Sequence, residues 1–235
     1  MAYLIVIPTY NEVENISSLL EKINSTLIGY DFSVLVVDDN STDGTKDVLS
    51  ELKVKYSNLF VLERSGKLGL ASAYIDGFKF GLKKGFNYFI QFDADFSHNP
   101  IYLPQMFDEL LEFDVVIGSR NIKNGGVKNW GILRNLISKG GSFYSRLVLN
   151  CPIHDLTGGF NGWRKEVLEK INFEKIISKG YCFQIEMKYR AFKNGAKIKE
   201  FPIVFKDRTQ GKSKMSKNIF FEALLNVLKI RFNKN

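Results

Sequence analysis

Short runs of apolar residues alternate with longer amphipathic segments along the first half of the chain. The short runs are nearly continuous in Val, Ile and Leu, which is typical of strands covered on both faces of a sheet. The longer segments carry apolar residues at helical spacing, as Ile16, Leu19, Leu20 and Ile23 do. This alternation predicts an α/β fold with a doubly wound, mostly parallel sheet and helices on both faces. The predicted strands are 3–8, 32–39, 58–63, 88–95 and 114–120, and the predicted helices are 11–27, 41–56, 69–85 and 100–112.

The second half of the chain is less regular. No repeat, low-complexity segment or linker divides the sequence, so we expect residues 1–235 to form one domain. Its last element should be a basic, amphipathic helix at about 216–232. Pro202 cannot donate a hydrogen bond to a sheet and therefore favours an edge position for its strand. The predicted elements are helices at 133–149, 180–195 and 217–232, a strand at 197–207 and a loop at 124–131.

Composition excludes several classes of protein. The 235 residues are 45% apolar, which is enough for a full core and argues against disorder. Two cysteines and two histidines make a disulfide framework and a His/Cys zinc site poor expectations. The apolar run at the N-terminus is too short for a signal peptide, and no stretch approaches the roughly 18 apolar residues of a membrane span. We therefore expect a soluble protein, or one that lies on a membrane without crossing it.

The positive charge is concentrated near the C-terminus. Residues 206–235 contain eight Lys or Arg residues against two Asp or Glu, so most of the net charge of +8 lies there. Such a segment suggests an anionic partner, which could be a phosphate-bearing substrate, a lipid surface or nucleic acid. The ordinary alternative is a solvated helix face.

Two pairs of aspartates follow predicted strands. Asp38 and Asp39 end the second strand, and Asp93 and Asp95 end the fourth, on either side of Ala94. Ligands of open parallel sheets bind at the carboxyl ends of the strands. Neighbouring carboxylates repel one another, and a divalent cation removes that conflict, since Mg²⁺ binds carboxylates together with substrate phosphates. The pattern predicts a metal that bridges to a nucleotide diphosphate, whereas most Asp-x-Asp sequences elsewhere are surface turns.

The first strand ends in PTYNE, residues 8–12. Pro8 stops the strand, and Asn11 is expected to cap the helix that follows. Glu12 makes a phosphate at this helix start less favourable than a contact with a base or a ribose.

Basic residues follow the later elements of the predicted sheet. Arg120, Arg134, Arg208 and Lys214 lie in the segments GSR, RNLISKGG and DRTQGKSK. Guanidinium groups suit bidentate recognition of phosphate. A single Arg in a loop is usually a solvated charge, but several sets after acidic strand ends favour a phosphate-rich substrate.

The motifs, taken in order, resemble those of the dolichyl-phosphate mannose synthases, or polyprenyl-phosphate sugar synthases. These are inverting glycosyltransferases of the GT-A fold, which is Rossmann-like. The resemblance covers nearly the whole chain and rests on PTYNE, VVDDNSTDGT, DADFSH, GSR, NGGV, RNLISKGG, DLTGGF, SKGYCFQIEM and DRTQGKSK. It implies that the protein transfers mannose from GDP-mannose to dolichyl or polyprenyl phosphate, giving polyprenyl-phosphate-mannose and GDP.

The resemblance also implies a metal and a set of site residues. Asp93 and Asp95 would hold Mg²⁺ or Mn²⁺ on the donor diphosphate, and Ser97 stands where some family members use Gln as a further metal contact. The residues implied for catalysis are Asp93, Asp95, Arg120 and Arg134. Those implied for the donor are Pro8, Tyr10, Glu12, Val37, Asp39, Asp93, Ala94, Asp95, Arg120, Arg208 and Lys214, and those for the acceptor phosphate are Arg120, Arg134 and Ser138.

Two positions stay open at this stage. Asn161 stands where the family often has Arg after Phe, so the chain departs from the family pattern there, and Arg164 is a candidate to take over the role of that arginine. Asp155 in DLTGGF is expected to contact the sugar, to orient an arginine, or to serve as a turn or N-cap residue.

The implied acceptor needs no general base. A phosphate monoester has a second pKa of about 6 and is already an anion near neutral pH. The sequence has no obvious His–carboxylate pair for such a role. Catalysis would rest on positioning and charge stabilisation, with the metal neutralising charge on the leaving GDP.

The C-terminal helix has two interpretations. Phe220, Phe221, Leu224, Leu225 and Leu228 can share an apolar stripe with basic residues nearby. Such a helix would lie on anionic lipid at the cytoplasmic face of a membrane, close to a lipid-borne substrate. Alternatively, the stripe packs on the core. Many relatives carry membrane spans after the catalytic domain, and this sequence shows none. It therefore resembles the type whose soluble catalytic subunit is anchored by a protein partner.

Two other functions remain open from the sequence alone. The same fold could use UDP-glucose or another acceptor. A nucleic-acid-binding module would use the basic end of the chain, but it leaves the paired acids unexplained and lacks a helix-turn-helix or RNP signature. We therefore expect no nucleic-acid partner.

Overall fold

A seven-stranded sheet runs through the molecule, with helices packed on both of its faces. The computed structural model describes residues 2–128, 131–178, 180–206 and 217–232, and the side chains of 132–135, 181 and 217–223 are outside the described part. The strands are β1 Tyr3–Thr9, β2 Phe32–Asp38, β3 Leu59–Glu63, β4 Tyr88–Gln91, β5 Val115–Ser119, β6 Gly126–Lys128, β7 Asn161–Arg164, β8 Ile198–Pro202 and β9 Val204–Lys206. The helices are α1 Ile16–Thr26, α2 Thr45–Lys55, α3 Leu70–Lys84, α4 Leu103–Leu110, α5 Ile132–Leu149, α6 Lys165–Lys170, α7 Tyr181–Lys193 and α8 Lys217–Phe232.

The strand order in the sheet is β3-β2-β1-β4-β7-β5-β8. β7 is antiparallel to β4 and β5, and the other neighbouring strands are parallel. The predicted mostly parallel α/β sheet is thereby confirmed. β1, β2, β4 and β5 all end at the same edge of the sheet, which we call the carboxyl edge. β7 begins at this edge, because its first residue, Asn161, pairs with Gln91 and Ile117 near the ends of β4 and β5.

The two faces of the sheet bury separate cores. Successive residues of β1 point to opposite faces, so Leu4 and Val6 join one core while Ile5 and Ile7 join the other. Helices α1, α2 and α4 cover the second core, and α3, α5, α6, α7 and α8 contribute to the first. Because both faces are covered, β1, β2, β4 and β5 are mostly apolar, as their sequence indicates.

Helix α3 approaches the sheet closely through two glycines. A Cβ atom at Gly77 would lie 2.4 Å from Val6 Cγ1, and one at Gly81 would lie 2.4 Å from Phe89 Cε1. No side chain fits into such a space without a shift of its neighbours. This contact explains why the predicted helix carries small residues on one side.

The prediction that Asp93 and Asp95 belong to the fourth strand is wrong. β4 ends at Gln91, and its ladder closes with the bond from the Phe92 N–H to the Val6 carbonyl over 3.1 Å. Phe96 has a φ of 58°, which no strand residue adopts. The two aspartates therefore lie in a tight turn that follows β4.

The second half contains elements that the pattern did not predict, namely β6, β7 and α6. β6 lies within the predicted loop 124–131 and pairs with β9. The predicted strand 197–207 is interrupted at Ile203 and forms β8 and β9. β8 is the last strand of the sheet, so the edge position predicted from Pro202 is confirmed.

Helix α8 occupies the predicted range. Val227 and Ile230 are buried in the core, whereas Leu225, Leu228 and Phe232 are exposed. The helix thus packs on the core and also presents apolar residues to the outside. None of the helices in the described part of the chain combines the length and apolarity that crossing a membrane requires.

The close contact of α3 predicts a sharp difference between two helical glycines. Gly81→Ala should lower the free energy of unfolding by about 1–3 kcal/mol, because the added methyl overpacks a full core. Gly140→Ala in α5 is the matched control, since a Cβ there meets nothing within 4 Å. The control should be neutral or stabilising by up to about 1 kcal/mol, from helix propensity. Urea denaturation measures both, and equal effects would contradict the packing argument.

Candidate active site

The predicted donor-site residues gather at the carboxyl edge. Pro8 and Val37 are register partners near the ends of β1 and β2. Asp39 follows β2, and its N–H donates to the Thr9 carbonyl over 2.9 Å. The acidic turn, residues 93–98, follows β4 in the same part of the edge, since β4 lies beside β1. The sheet therefore brings the two acidic strand ends to one side, as expected for a parallel arrangement.

Protein donors orient both carboxylates of the acidic turn. Asp93 and Asp95 are half-buried, and Ala94 between them is buried. The hydroxyl of Tyr74 donates to Asp93 Oδ1 over 3.1 Å. The N–H of Ser97 donates to Asp95 Oδ1 over 3.0 Å. The pair is held by α3 and by the turn itself.

Two side chains that contact Asp93, those of Tyr74 and His98, are neutral. Burial and the charge of Asp93 raise the pKa of the Tyr74 phenol well above its usual value, so Tyr74 keeps the proton that it donates. Burial lowers the pKa of His98, although the charges of Asp93 and Asp95 oppose this shift. The Asp93 N–H donates to His98 Nδ1 over 3.4 Å, which requires this nitrogen to be unprotonated. His98 therefore adds no positive charge to the turn.

The oxygen atoms of the turn suit a hard divalent cation. Ser97 Oγ is buried and has no hydrogen-bond partner among the described residues. Burying a hydroxyl without a partner costs free energy. Ser97 is only two residues from Asp95 in the chain. No group of three or more His, Cys, Asp or Glu residues in the described part forms a metal site by itself. The residues thus fit Mg²⁺ or Mn²⁺ only if the bound substrate also supplies oxygens, which is usual for Mg²⁺.

Asp39 is held by an arginine that the sequence analysis did not identify. Arg64 Nε donates to Asp39 Oδ1 over 2.6 Å, Nη2 donates to the same oxygen, and the Gly69 N–H donates to Oδ2 over 3.0 Å. Both side chains are buried. The segment that carries Arg64 also places Lys67 Nζ 3.8 Å from the centre of the Tyr10 ring. This segment therefore covers the edge residues of β1 and β2.

The prediction that Asn11 caps the first helix is wrong. Asn11 Oδ1 accepts from the Thr42 N–H over 2.9 Å, and α1 begins only at Ile16. Asn15 Nδ2 donates to Glu12 Oε2 over 2.8 Å. A hydrogen bond therefore joins the PTYNE segment to the turn after β2. These two segments of the carboxyl edge are thereby fixed relative to each other.

The predicted basic residues are described to different extents. Arg120 follows β5 at the carboxyl edge. Ser138 is half-buried on α5. Arg134 also lies on α5, with its side chain outside the described part, and Arg208 and Lys214 lie outside the described residues.

Arg120 is bound to Asp155 by a buried, bidentate ion pair. Arg120 Nε and Nη2 donate to the two carboxylate oxygens over 2.8 and 2.7 Å, and the Arg120 N–H donates to the same carboxylate over 2.9 Å. Burial alone would raise the pKa of Asp155, but the charge and hydrogen bonds of Arg120 outweigh it and hold that pKa well below its usual range. These contacts support the expected role of orienting an arginine, and the Gly158 N–H, which donates to Asp155 Oδ1 over 2.9 Å, also supports the role of a turn residue.

A buried lysine fixes the segment around Asp155. Lys188 Nζ, on α7, donates to the carbonyls of Asp155 and Gly158 over 2.8 and 2.7 Å, and lies 3.3 Å from that of Leu156. Burial lowers the pKa of Lys188 to about 8, although the charge of Asp155 opposes the shift. From β8, Glu200 accepts the N–H of Asp155 over 3.0 Å. Two elements, α7 and β8, thus hold the segment in place.

The same segment reaches the acidic turn. A Cβ atom at Gly159 would lie 3.5 Å from Asp93 Oδ2, so the backbone there lies beside the carboxylate, with room for no more than a small side chain between them. Asn161, two residues on, is buried and donates to Gln91 Oε1 and Gln184 Oε1, each over 3.0 Å. The amide nitrogen of Asn161 therefore donates to side chains in the protein interior.

Arg164 does not take over the role proposed for the Asn161 position. It pairs with Tyr88 at the start of β4, away from the carboxyl edge. Its guanidinium donates to the carbonyls of Leu110 and Leu111 at the end of α4. Because β7 is antiparallel, its last residue lies at the opposite edge of the sheet from the acidic turn.

The sheet order, the acidic turn at the carboxyl edge and the arginine after β5 define a glycosyltransferase of the GT-A fold. Residues 4–172 match the family model for Glycosyl transferase family 2, and the chain belongs to this family.

Two curated relatives cover nearly the whole chain. The undecaprenyl-phosphate mannosyltransferase of Micrococcus luteus is 41% identical over 227 residues, which are 97% of this chain and 93% of that protein. The polyprenol monophosphomannose synthase of Mycolicibacterium smegmatis is 41% identical over 226 residues, or 95% of this chain and 84% of that protein.

A solved structure shares the fold at lower identity. The glucosyl-3-phosphoglycerate synthase of Mycobacterium tuberculosis, crystallised with Mn²⁺, UDP and phosphoglyceric acid, superposes with a TM-score of 0.71 and 17% identity. The match covers 100% of this chain and 80% of that one. It confirms the GT-A fold of the sheet and helices.

The bond from Tyr74 to Asp93 predicts an effect on metal binding. Tyr74→Phe removes only the donor that orients this carboxylate, so Mn²⁺ should bind about 10–100-fold more weakly, as expected for the loss of a partner behind a ligand. Tyr144→Phe is the matched control, because its hydroxyl donates to the Leu224 carbonyl far along the chain. Calorimetric titration with Mn²⁺ in the presence of GDP measures both. Equal Mn²⁺ affinities of the two variants would refute this role for Tyr74.

The ion pair predicts a pH-dependent loss of stability. Asp155→Asn leaves Arg120 buried without its anion and should lower the free energy of unfolding by about 3–5 kcal/mol at pH 7. The folded pKa of Asp155 is depressed, so its contribution is complete above the unfolded value of about 3.9 and is lost as the pH falls through the folded value. The difference between variant and parent should therefore shrink below about pH 4.

Urea denaturation at several pH values tests this expectation. Glu169→Gln is the control, because it breaks an exposed pair with Lys165 at 3.5 Å. Such pairs contribute at most about 1 kcal/mol. An Asp155→Asn effect as small as that of the control would rule out a stabilising role for the buried pair.

Proposed function

We propose that the protein transfers mannose from GDP-mannose to the phosphate of a polyprenyl or dolichyl phosphate, with inversion at the sugar, and releases GDP. The observation that carries the proposal is the acidic turn, whose oriented carboxylates, and Ser97 hydroxyl with no partner among the described residues, suit a metal–diphosphate complex. The mannose and the lipid phosphate are supported by the two relatives at 41% identity over almost the full length. In this proposal, residues 1–235 act as one catalytic unit.

In the donor site, Asp93, Asp95 and Ser97 would hold Mg²⁺ or Mn²⁺. The bound metal would neutralise the charge that develops on the leaving diphosphate. Tyr74 and the Ser97 N–H keep both carboxylates oriented before substrate arrives, so little reorganisation is needed on binding. The donor-site assignment comprises Pro8, Tyr10, Glu12, Val37, Asp39, Asp93, Ala94, Asp95, Arg120, Arg208 and Lys214.

In the acceptor site, Arg120, Arg134 and Ser138 would bind the lipid phosphate. Arg120 is fixed by Asp155 and by Thr157 Oγ1, which accepts from Nη2 over 2.9 Å. The acceptor phosphate is an anion near neutral pH, because its second pKa is about 6, and it needs no base to attack the sugar. The protein's task is to hold two anions together in the correct geometry.

The proposal also places the protein at the cytoplasmic face of a membrane, where a protein partner could anchor it. Apolar side chains are exposed on α5 and α8, which is unusual for a surface that faces water only. They are Leu136, Phe143, Leu147, Leu225, Leu228 and Phe232. Helix α5 packs on α8 through the bond from the Tyr144 hydroxyl to the Leu224 carbonyl over 3.2 Å. A lipid-borne acceptor would reach the site from such a surface.

A transfer assay tests the donor and the metal together. Purified protein is offered labelled GDP-mannose or labelled UDP-glucose, with polyprenyl phosphate and Mn²⁺. We expect lipid-linked product from GDP-mannose, with the anomeric configuration opposite to that of the donor. Asp95→Asn should lower the rate by about 100-fold or more, because charge stabilisation by a metal contributes several kcal/mol.

Asp47→Asn is the matched control, since Asp47 is exposed on α2. It should leave the rate unchanged. Product from UDP-glucose alone would mean that the donor is UDP-glucose and not GDP-mannose. Product from neither sugar nucleotide would refute the proposed reaction.

A further inference from the structure

A basic pocket lies between α5 and the segment that follows β5. Its volume is about 270 Å³, and its lining includes Arg120, Lys139, Phe143, Arg146 and His154. We call it the α5 pocket. Its size is sufficient for a phosphate group and part of the chain that carries it.

The α5 pocket has excess positive charge. The charge of Arg120 is balanced by Asp155, and His154 Nδ1 lies 2.9 Å from Glu200 Oε2. Lys139 and Arg146 form no ion pair with an acidic side chain in the part of the chain that the structure describes. Their two charges are therefore available to an anion.

Arg146 also has an unsatisfied donor. Its Nε is buried and has no hydrogen-bond partner among the described residues. A buried donor without an acceptor is costly, and one attached to a charged group costs more. Arg146 also lines the pocket, so its guanidinium can donate to a phosphate oxygen there through a charge-assisted hydrogen bond.

The pocket adjoins an apolar surface. Phe143 lines it and is also 61% exposed, and Leu136 and Leu147 on the same helix are 67% and 66% exposed. Positions 136, 143 and 147 follow one another at spacings of seven and four residues, which places them on one side of the helix. A ligand with an anionic head and an apolar tail matches a basic pocket beside such a surface.

The α5 pocket adjoins the proposed acceptor residues and shares Arg120 with them. Ser138 and Ser142 are one turn apart, and Ser142 Oγ lies 3.1 Å from Thr157 Oγ1, beside the Arg120 guanidinium. Lys139 and Phe143 each follow one of these serines and lie about 100° around the helix from it, whereas Arg146 lies one turn beyond Ser142. The pocket therefore extends the proposed acceptor site along α5 and adds the charges of Lys139 and Arg146 to it.

We propose that the α5 pocket binds the phosphate group of a membrane lipid, with Lys139 and Arg146 as the recognising charges and Phe143 against the apolar part. The inference extends the proposed function, because a lipid held here would seat α5 at the membrane surface. The lipid can be a bulk anionic phospholipid or the acceptor itself, and the two sources share this chemistry.

The test begins with vesicles and needs no catalysis. The full chain is sedimented with vesicles of phosphatidylcholine plus phosphatidylglycerol, and with phosphatidylcholine alone. The double variant Lys139→Gln/Arg146→Gln should bind the anionic vesicles about tenfold or more weakly than the parent, because each Lys or Arg at an anionic surface contributes substantially. Lys22→Gln/Lys53→Gln removes the same charge from α1 and α2, on the other face of the sheet, and should change binding much less.

A second arm identifies the source of the phosphate. Transfer to polyprenyl phosphate is measured in neutral detergent without phospholipid. A selective loss of vesicle binding with unchanged KM identifies a bulk headgroup, whereas a raised KM for the acceptor with unchanged vesicle binding identifies the acceptor's own phosphate. Lys139→Gln alone, at an exposed position, should give part of the effect if the double variant is poorly folded.

Two results would overturn the proposal. One is an equal loss of vesicle binding in the pocket variant and in the control variant, which would mean that only the net charge matters. The other is parental behaviour of the pocket variant in both arms. Because the vesicle arm uses no sugar nucleotide, it remains decisive even if the proposed transfer reaction fails.

Discussion

The buried ion pair between Arg120 and Asp155 is the contact on which the carboxyl edge of the sheet depends. Removing either charge would leave the other buried without its bidentate counter-ion, which is strongly destabilising. The pair joins the end of β5 to the segment before β7, and Lys188 and Glu200 hold that segment from α7 and β8. Gly159, at its end, lies beside the acidic turn. The distance between the arginine and the carboxylates therefore follows from one cluster of buried charges.

The direction of β7 makes this cluster possible. A parallel strand in its position would begin at the opposite edge, and the segment before it could not contact the ends of β4 and β5. The antiparallel strand enters at the carboxyl edge and places Asn161 beside Gln91. The Gln91 side chain also accepts from Trp163 Nε1 over 3.0 Å. The buried amides of Gln91 and Asn161 therefore lie where β7 joins the two parallel halves of the sheet. The strand thus couples the halves and delivers the segment that orients Arg120.

The sequence predicts the parallel half well, because strands buried on both faces are apolar at every position. β7 has no such signal, since Asn161, Gly162, Trp163 and Arg164 show neither a run nor an alternation. The ends of elements depend on tertiary contacts, so β4 was predicted too long. Lys188 could have been noticed as a charge within a mostly buried helix, but its carbonyl partners lie some 30 residues earlier. Such contacts leave no local pattern in the sequence.

Helix α5 carries three groups of residues that together link the site to the outside of the molecule. Ser142 contacts Thr157 beside the arginine pair, Lys139 and Arg146 line the basic pocket, and Leu136 is exposed with its apolar neighbours. One helix cannot tilt one side without moving the others, because its backbone hydrogen bonds keep it rigid. A surface that seats the apolar side therefore also fixes the position of the pocket and of the serine side. In the proposed reaction, contact of α5 with the membrane would for this reason also position the residues that bind the acceptor.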